Sequence, residues 1–185
     1  MNRREPIVKP ITHEKVREIL ASNQRRLASH GREGNMADFL GVLVHDFDFS
    51  SQNLESVDFN RSTFLRCQFR GADLTACSIQ SDFIDCDFTG AILLKAEITS
   101  SDFRGSCFEF AQLTRCYIDK SNLDGVSFRK SQLVGAIIET SNVHGADFTD
   151  SFQIDFTFAS NVGEPVGVAP LEWDGGEIPN TFRPA

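Results

Sequence analysis

Large apolar residues recur at every fifth position from Phe39 to Phe148. The centres run Phe39, Val44, Phe49, Leu54, Phe59, Phe64, Phe69, Leu74 and Ile79. After one step of four they resume at Phe83 and continue through Phe88, Leu93, Ile98, Phe103 and onward. Neither regular element has that period: a helix repeats every 3.6 residues and a strand every two. Two residues before most centres the side chain is small, as at Ala72, Cys77, Ser81, Ala91, Ser101, Ala111, Ser121 and Ala136. The residue in between is often Asp or Asn.

A second period lies on the first. Taking every fourth centre, one set reads Phe49, Phe69, Phe88, Phe108, Phe128 and Phe148, and the next Leu54, Leu74, Leu93, Leu113 and Leu133. A third settles into Ile79, Ile98, Ile118 and Ile138. The fourth reads Val44, Phe64, Phe83, Phe103, Leu123 and Val143, with Ser62, Ser81, Ser101, Ser121 and Ser141 at its small position. A solenoid with four sides per turn explains this order, because like side chains then stack in ladders between coils. Residue types keep their order across the four-residue step from Ile79 to Phe83, so one residue is lost at a corner without losing a side.

"GADL" at Gly71–Leu74, "SDF" at Ser101–Phe103 and "GADF" at Gly145–Phe148 carry a resemblance to the pentapeptide-repeat family, whose pattern is A(D/N)Lxx. The resemblance spans about 36–150. It implies an all-β solenoid, a right-handed, four-sided parallel β-helix, with the central and small residues inward. About six coils are expected, a rod of roughly 29 Å at ~4.8 Å per coil. The stretch through "GREGNMADF" also looks like a helical preface seen before such repeats in bacterial proteins.

The two ends differ from the body. Val16, Ile19, Leu20 and Leu27 share one helical face, Thr12 suits the N-cap, and Gly31 suits the stop just past the end. This predicts an amphipathic helix over 13–30 that caps the first coil. After Phe148, "SFQIDFTF" alternates with a period of two and the five-residue frame puts Gln153 inside, which predicts a distorted last coil. The divisions expected are a basic segment with the helix at 1–35, the β-helix at 36–160, and an irregular tail rich in Pro and Gly at 161–185.

Composition narrows the function classes. Seventeen Phe against one Tyr and one Trp suggest rings in a dry interior. No apolar run approaches the ~20 residues of a membrane helix, and "MNRREPIVKP" lacks the apolar core of a secretory signal. Five Cys without paired spacing read as reduced thiols in a cytoplasm. Residues 1–35 hold eight Lys/Arg against four Asp/Glu, whereas 36–160 hold nine against eighteen. The acidic body disfavours direct nucleic-acid binding.

Nothing in the sequence assembles a catalytic set, so no enzyme, cofactor or metal is expected. His13, His30, His45 and His144 are scattered, and Asp46 and Asp48 read as outward polar positions rather than metal ligands. Cys67, Cys77, Cys86 and Cys116 fall at inward small positions, with Cys67 and Cys86 on adjacent coils. Cys107 points outward and is the accessible thiol. The stronger signal is outward apolar residues. Ile92, Leu94 and Val134 lie on the Leu-ladder side, joined by Phe152 and Ile154, with Tyr117 and Ile137 on the adjoining side. Leu65 and Ile84 form a smaller cluster. Such surface marks an interface or is covered by the helix or by the tail with Trp173.

The function expected is a non-enzymatic protein–protein interaction scaffold with an unidentified protein partner or a second copy. The alternative comes from the resemblance: some pentapeptide-repeat proteins mimic duplex DNA, bind gyrase and protect it from quinolones. Those proteins dimerise through a C-terminal helix, and no such helix is legible here.

Overall fold

The computed structural model describes residues 8–168. The chain winds into a parallel β-solenoid of about six turns, with one helix at its N-terminal end. The elements are β1 (Lys9–Pro10), α1 (His13–Ala28), β2 (Val42–His45), β3 (Asp58–Leu65), β4 (Ser78–Ile84), β5 (Glu97–Thr99), β6 (Tyr117–Asp119), β7 (Ile137–Glu139) and β8 (Thr157–Ala159). They form one sheet in sequence order, every neighbour parallel. Ile79 pairs with Ile98, Ile98 with Ile118, Ile118 with Ile138, and Ile138 with Phe158. Shorter bridges hold the other sides, for example Gln68 to Asp87 to Cys107 to Ser127.

The apolar centres point into the coil and are buried. The rings of Phe49, Phe69, Phe88, Phe108, Phe128 and Phe148 stack face to face, with centroids 4.6, 4.8, 4.6, 5.3 and 4.7 Å apart. A second stack, Phe64–Phe83–Phe103, meets the first edge-on, as where Phe64 meets Phe69 at 76° and Phe83 meets Phe88 at 64°. Offset stacks and edge contacts both suit the ring quadrupole.

Each corner needs a backbone reversal, and nearly every one uses a residue with positive φ two places after the centre. Gly71, Gly90, Gly105 and Gly125 take such positions, as do Asp46, Lys95, Arg115 and Lys130. At most of them the next N–H bonds back to the centre carbonyl, as Ala72 does to Phe69 at 3.1 Å, which closes a tight turn with its third residue left-handed. Ala76 and Asp85 are successive residues of this kind, nine apart. The corner between them has no left-handed residue, and there the register between β3 and β4 shifts, between Asn60 and Thr63. The lost residue is therefore the turn residue itself.

The Asp or Asn before the centre has a local task. Its Oδ1 accepts the N–H two residues on: Asp73 from Thr75 at 3.0 Å, Asp87 from Thr89 at 2.9 Å, Asp102 from Arg104 at 3.1 Å. Only a short side chain with an acceptor reaches that far.

Serine recurs coil after coil at one corner for a related reason. There the small residue's N–H makes no turn bond. It donates instead to the serine of the next coil: Ser62 to Ser81 Oγ at 2.9 Å, Ser81 to Ser101 Oγ at 3.1 Å, Ser101 to Ser121 Oγ at 3.3 Å, Ser121 to Ser141 Oγ at 3.1 Å. Asn161 Oδ1 ends the chain of bonds at 2.9 Å from Ser141 N. Ser101→Ala leaves the buried Ser81 N–H without its acceptor and is expected to cost about 1–3 kcal/mol. Urea unfolding measures this, and an unchanged midpoint would show that Ser81 N–H has another acceptor.

Helix α1 closes the first coil. Thr12 caps it, its Oγ1 accepting Lys15 N–H at 3.1 Å. At the other end His30 (φ 54°) takes the first left-handed position, one residue before the glycine that the sequence suggests. Gly31 follows, and its N–H returns to Arg26 O at 2.8 Å. This double reversal satisfies two terminal carbonyls. Val16, Leu20 and Asn23 face the solenoid and are buried. Inside the rod, a carbonyl such as Asp73 O accepts from the preceding coil, here from Leu54 N at 2.8 Å. No described coil precedes the first one, and there the cap supplies the donors. Asn23 Nδ2 bonds Asn53 O at 2.9 Å, His13 Nε2 bonds His45 O at 2.8 Å, and the N–H groups of Lys9 and Ile11 bond Gly41 O and Leu43 O at 3.0 and 3.1 Å.

The far end keeps the five-residue frame as far as β8, and a step of four then separates Gly163 from Gly167. Asp150, Asp155 and Ser160 have positive φ, and β8 pairs in register with β7. Gln153 sits in the Leu row, half-buried, and its Nε2 donates to Ser151 Oγ at 2.7 Å and Gly167 O at 2.8 Å. The amide thus turns an inward polar position into a tie to the last strand of chain. Gly163 and Gly167 follow at centre positions, where a Cβ would meet backbone of His144 and Thr149 at 2.6 and 2.5 Å.

Candidate interaction surface

The outward positions on the Leu side form two rows. Bridges join Ile92 to Gln112, Gln112 to Gln132, and Gln132 to Phe152. The second row is Leu94, Thr114, Val134 and Ile154, each carbonyl held by a corner N–H of the coil before: Ala76 to Leu94, Lys95 to Thr114, Arg115 to Val134, Gly135 to Ile154. Ile92, Leu94 and Val134 are half-buried, Phe152 is 55% exposed and Ile154 47%. On the adjoining side Tyr117 pairs with Ile137, both half-buried. Tyr117 Oη donates to Glu139 Oε1 at 2.6 Å, and that bond, with burial, raises the phenol to about 12. Leu65 and Ile84 pair on another side and are half-buried.

Sequence reasoning missed Phe110. It occupies a corner with φ 59° and is 53% exposed, beside the Leu side, with Lys130 Nζ 5.4 Å from its ring centre. Its signal is present in the sequence as a Phe off the five-residue frame. Phe47 and Phe156 are off-frame too, but they fill small positions on the first and last coils and pack inward: Phe47 is 4.7 Å from Phe49, and Phe156 is 5.8 Å from Phe158. Val162 and Val166 extend exposed apolar surface on the final stretch.

The bonded contacts of α1 are with the first coil, at His45, Gln52 and Asn53, and not with the Leu-side rows above it. Trp173 and the rest of the tail lie outside the described residues.

Other candidate chemistry stays dispersed. His13 and His45 do come within 5.9 Å, a pairing the sequence did not show, but His13 holds an edge carbonyl. Asp46 faces Arg66, at 2.8 Å, and this bond keeps its carboxyl low. Among the described residues no three His, Cys, Asp or Glu are grouped to hold a metal ion. All five cysteines are free thiols, and burial pushes Cys77 and Cys116 up to about 12. Cys107 is half-buried rather than open, its sulfur 3.5 Å from Thr89 Oγ1. A polar groove of about 740 Å³ follows the serine corner past Arg61, Asp82, Lys120 and Asn142. Burial and then the Asp102 charge raise the Asp82 carboxyl. The hydroxyls of Ser62, Ser81, Ser101 and Ser121 there are already committed to backbone. No helix among the described residues is long and apolar enough to cross a membrane.

The model for pentapeptide repeats matches residues 48–80, 81–118 and 111–150, with eight copies. The chain is a pentapeptide-repeat protein. Pentapeptide-repeat proteins are generally structural or interaction proteins rather than enzymes. No curated protein matches this one. Among solved structures it is similar to QnrB1, a plasmid-mediated fluoroquinolone resistance protein, with 20% identity, 70% of each chain covered and a TM-score of 0.48. It is also similar to HetL, a pentapeptide repeat protein involved in heterocyst differentiation regulation in the cyanobacterium Nostoc. There the identity is 15%, the coverage 76% of this chain and 94% of HetL, and the TM-score 0.43. A third is a pentapeptide repeat protein of the Arabidopsis thaliana thylakoid lumen, 27% identical over 59% of this chain and 67% of that one, with a TM-score of 0.34.

Proposed function

We propose that this pentapeptide-repeat protein is a non-enzymatic scaffold that docks a protein partner, or a second copy of itself, on its Leu side, in a cytoplasmic setting suited to its free thiols. The observation that carries this is the pair of in-register rows. Ile92, Leu94, Val134, Phe152 and Ile154 stand outward on one side, on the coils either side of Gln112 and Thr114, while the bonds of α1 stop at the first coil. Apolar side chains gathered outward on one side mark docking sites, and a rod of regular sides offers area rather than a cleft. The test replaces Leu94 and Val134 together with Glu. Neither side chain is in the buried core, so circular dichroism should stay native while mass in solution, or capture of the partner, changes. A folded double variant with both unchanged removes this side as the interface.

A second reading is a duplex-DNA mimic that binds gyrase. It is favoured by the excess of eighteen Asp/Glu over nine Lys/Arg in residues 36–160. Several of those carboxylates face Arg partners, as Asp46, Asp87, Asp102 and Asp147 do. Titration into a gyrase supercoiling assay, with and without a quinolone, decides it. Inhibition or protection at micromolar protein is the expected result, and absence of both ends this reading.

A further inference from the structure

We propose that the Leu side takes an acidic peptide segment of a partner protein, one that carries apolar side chains among its carboxylates. This rests on the reading of that side as the docking surface. Three successive coils cross it at 90–95, 110–115 and 130–135, as GAILLK, FAQLTR and KSQLVG. Those stretches hold Lys95, Arg115 and Lys130 and no Asp or Glu, in a body otherwise dominated by acid. All three cations are exposed, and none has a carboxylate partner among the described residues. Elsewhere in 36–160 the basic residues are occupied: Arg66, Arg70, Arg104, Lys120 and Arg129 are ion-paired, with Arg61 the exception.

Geometry places these charges as a rim. Lys95 N–H bonds Thr114 O and Arg115 N–H bonds Val134 O, so Lys95 and Arg115 follow each other along one corner. Lys130 stands at the opposite corner, above the exposed Phe110 ring. Between the corners lie the two rows, with Ile92, Leu94 and Val134 as their apolar members on these coils. An apolar centre with a charged rim is the usual anatomy of a protein interface, and unpaired rim cations select an anionic partner and speed its arrival. A nucleic-acid backbone is a poorer occupant, because three cations sit within a body that repels phosphate. An anionic bilayer would also have to meet Asp150 and Asp155, which stand exposed on the next coil.

The test uses the full chain and a labelled synthetic peptide alternating Glu with Leu and Trp, followed by fluorescence anisotropy. A matching peptide with Lys for Glu and vesicles containing phosphatidylserine serve as the other arms. The Glu peptide should bind, with affinity falling about tenfold from low to high salt. Lys95→Glu, Arg115→Glu and Lys130→Glu combined should weaken it by about tenfold or more while the circular dichroism spectrum stays native. Equal or tighter binding of the Lys peptide overturns the proposal, as does binding of vesicles without the Glu peptide, or an unaffected triple variant. A triple variant that changes mass in solution while no peptide binds assigns the rim to a second copy and also overturns it. If the Glu peptide fails but Leu94→Glu with Val134→Glu still alters assembly or capture, the docking side stands and only the acidic partner falls.

Discussion

Phe108→Ala is expected to cost about 3–5 kcal/mol of folding free energy. The ring lies in the middle of the Phe ladder, stacked 4.6 Å from Phe88 and 5.3 Å from Phe128, and it meets Phe103 at 5.5 Å and 58°. It is 1% exposed. Both flanking rings belong to coils whose spacing is fixed by backbone bonds, including Phe88 N to Cys107 O at 2.7 Å and Phe108 N to Ser127 O at 2.6 Å. The ladder therefore has little freedom to close over a missing ring, and the cavity term adds to the lost transfer energy. Against a total stability of about 5–15 kcal/mol for an ordinary domain, this brings the protein near its unfolding threshold. Denaturant unfolding measures it. A loss below about 1 kcal/mol would show that coils repack around the gap, contrary to the fixed rung spacing.

Removing residues 1–35 is the second large effect. It uncovers the surface under Val16 and Leu20, whose burial is each worth about 1.5–3 kcal/mol. It also strips donors from the carbonyls of Gly41, Leu43, His45 and Asn53, each bond contributing about 0.5–1.5 kcal/mol. A loss on the order of 5 kcal/mol follows, together with aggregation, because the open coil presents strand edge and core to other chains. Asn23→Ala isolates the polar part. Asn23 is buried, donates to Asn53 O, and accepts from Ala37 N–H at 3.3 Å and Arg26 Nε at 3.1 Å. Thermal melting and light scattering of the two proteins give the result. A shortened chain that melts unchanged and stays monodisperse would mean that α1 is not the cap.

The sequence by itself determined the repeat and hence the solenoid. A five-residue period with a fourfold superperiod admits few backbone paths, and the Ile79–Phe83 step marks where one residue drops out of a corner. The helix was legible from its apolar stripe and from Thr12, because both signals are local. What only the tertiary structure decided are matters of contact between distant residues. The Ser ladder reads as a pattern in the sequence, but its reason is the unmade turn bond at one corner, which appears only when coils stack and Ser101 Oγ meets Ser81 N–H. The role of Asn23 is likewise invisible in a helical wheel, where it interrupts the apolar face; it exists because the first described coil has edge carbonyls such as Asn53 O that α1 must meet. Gln153 looked like a break in the frame, yet a side-chain amide at an end coil bonds across to Gly167 O. The rim of Lys95, Arg115 and Lys130 is hidden in a chain with more acid than base. Charge is summed along the sequence, but it is felt by side, and only the winding places residues twenty apart against one another.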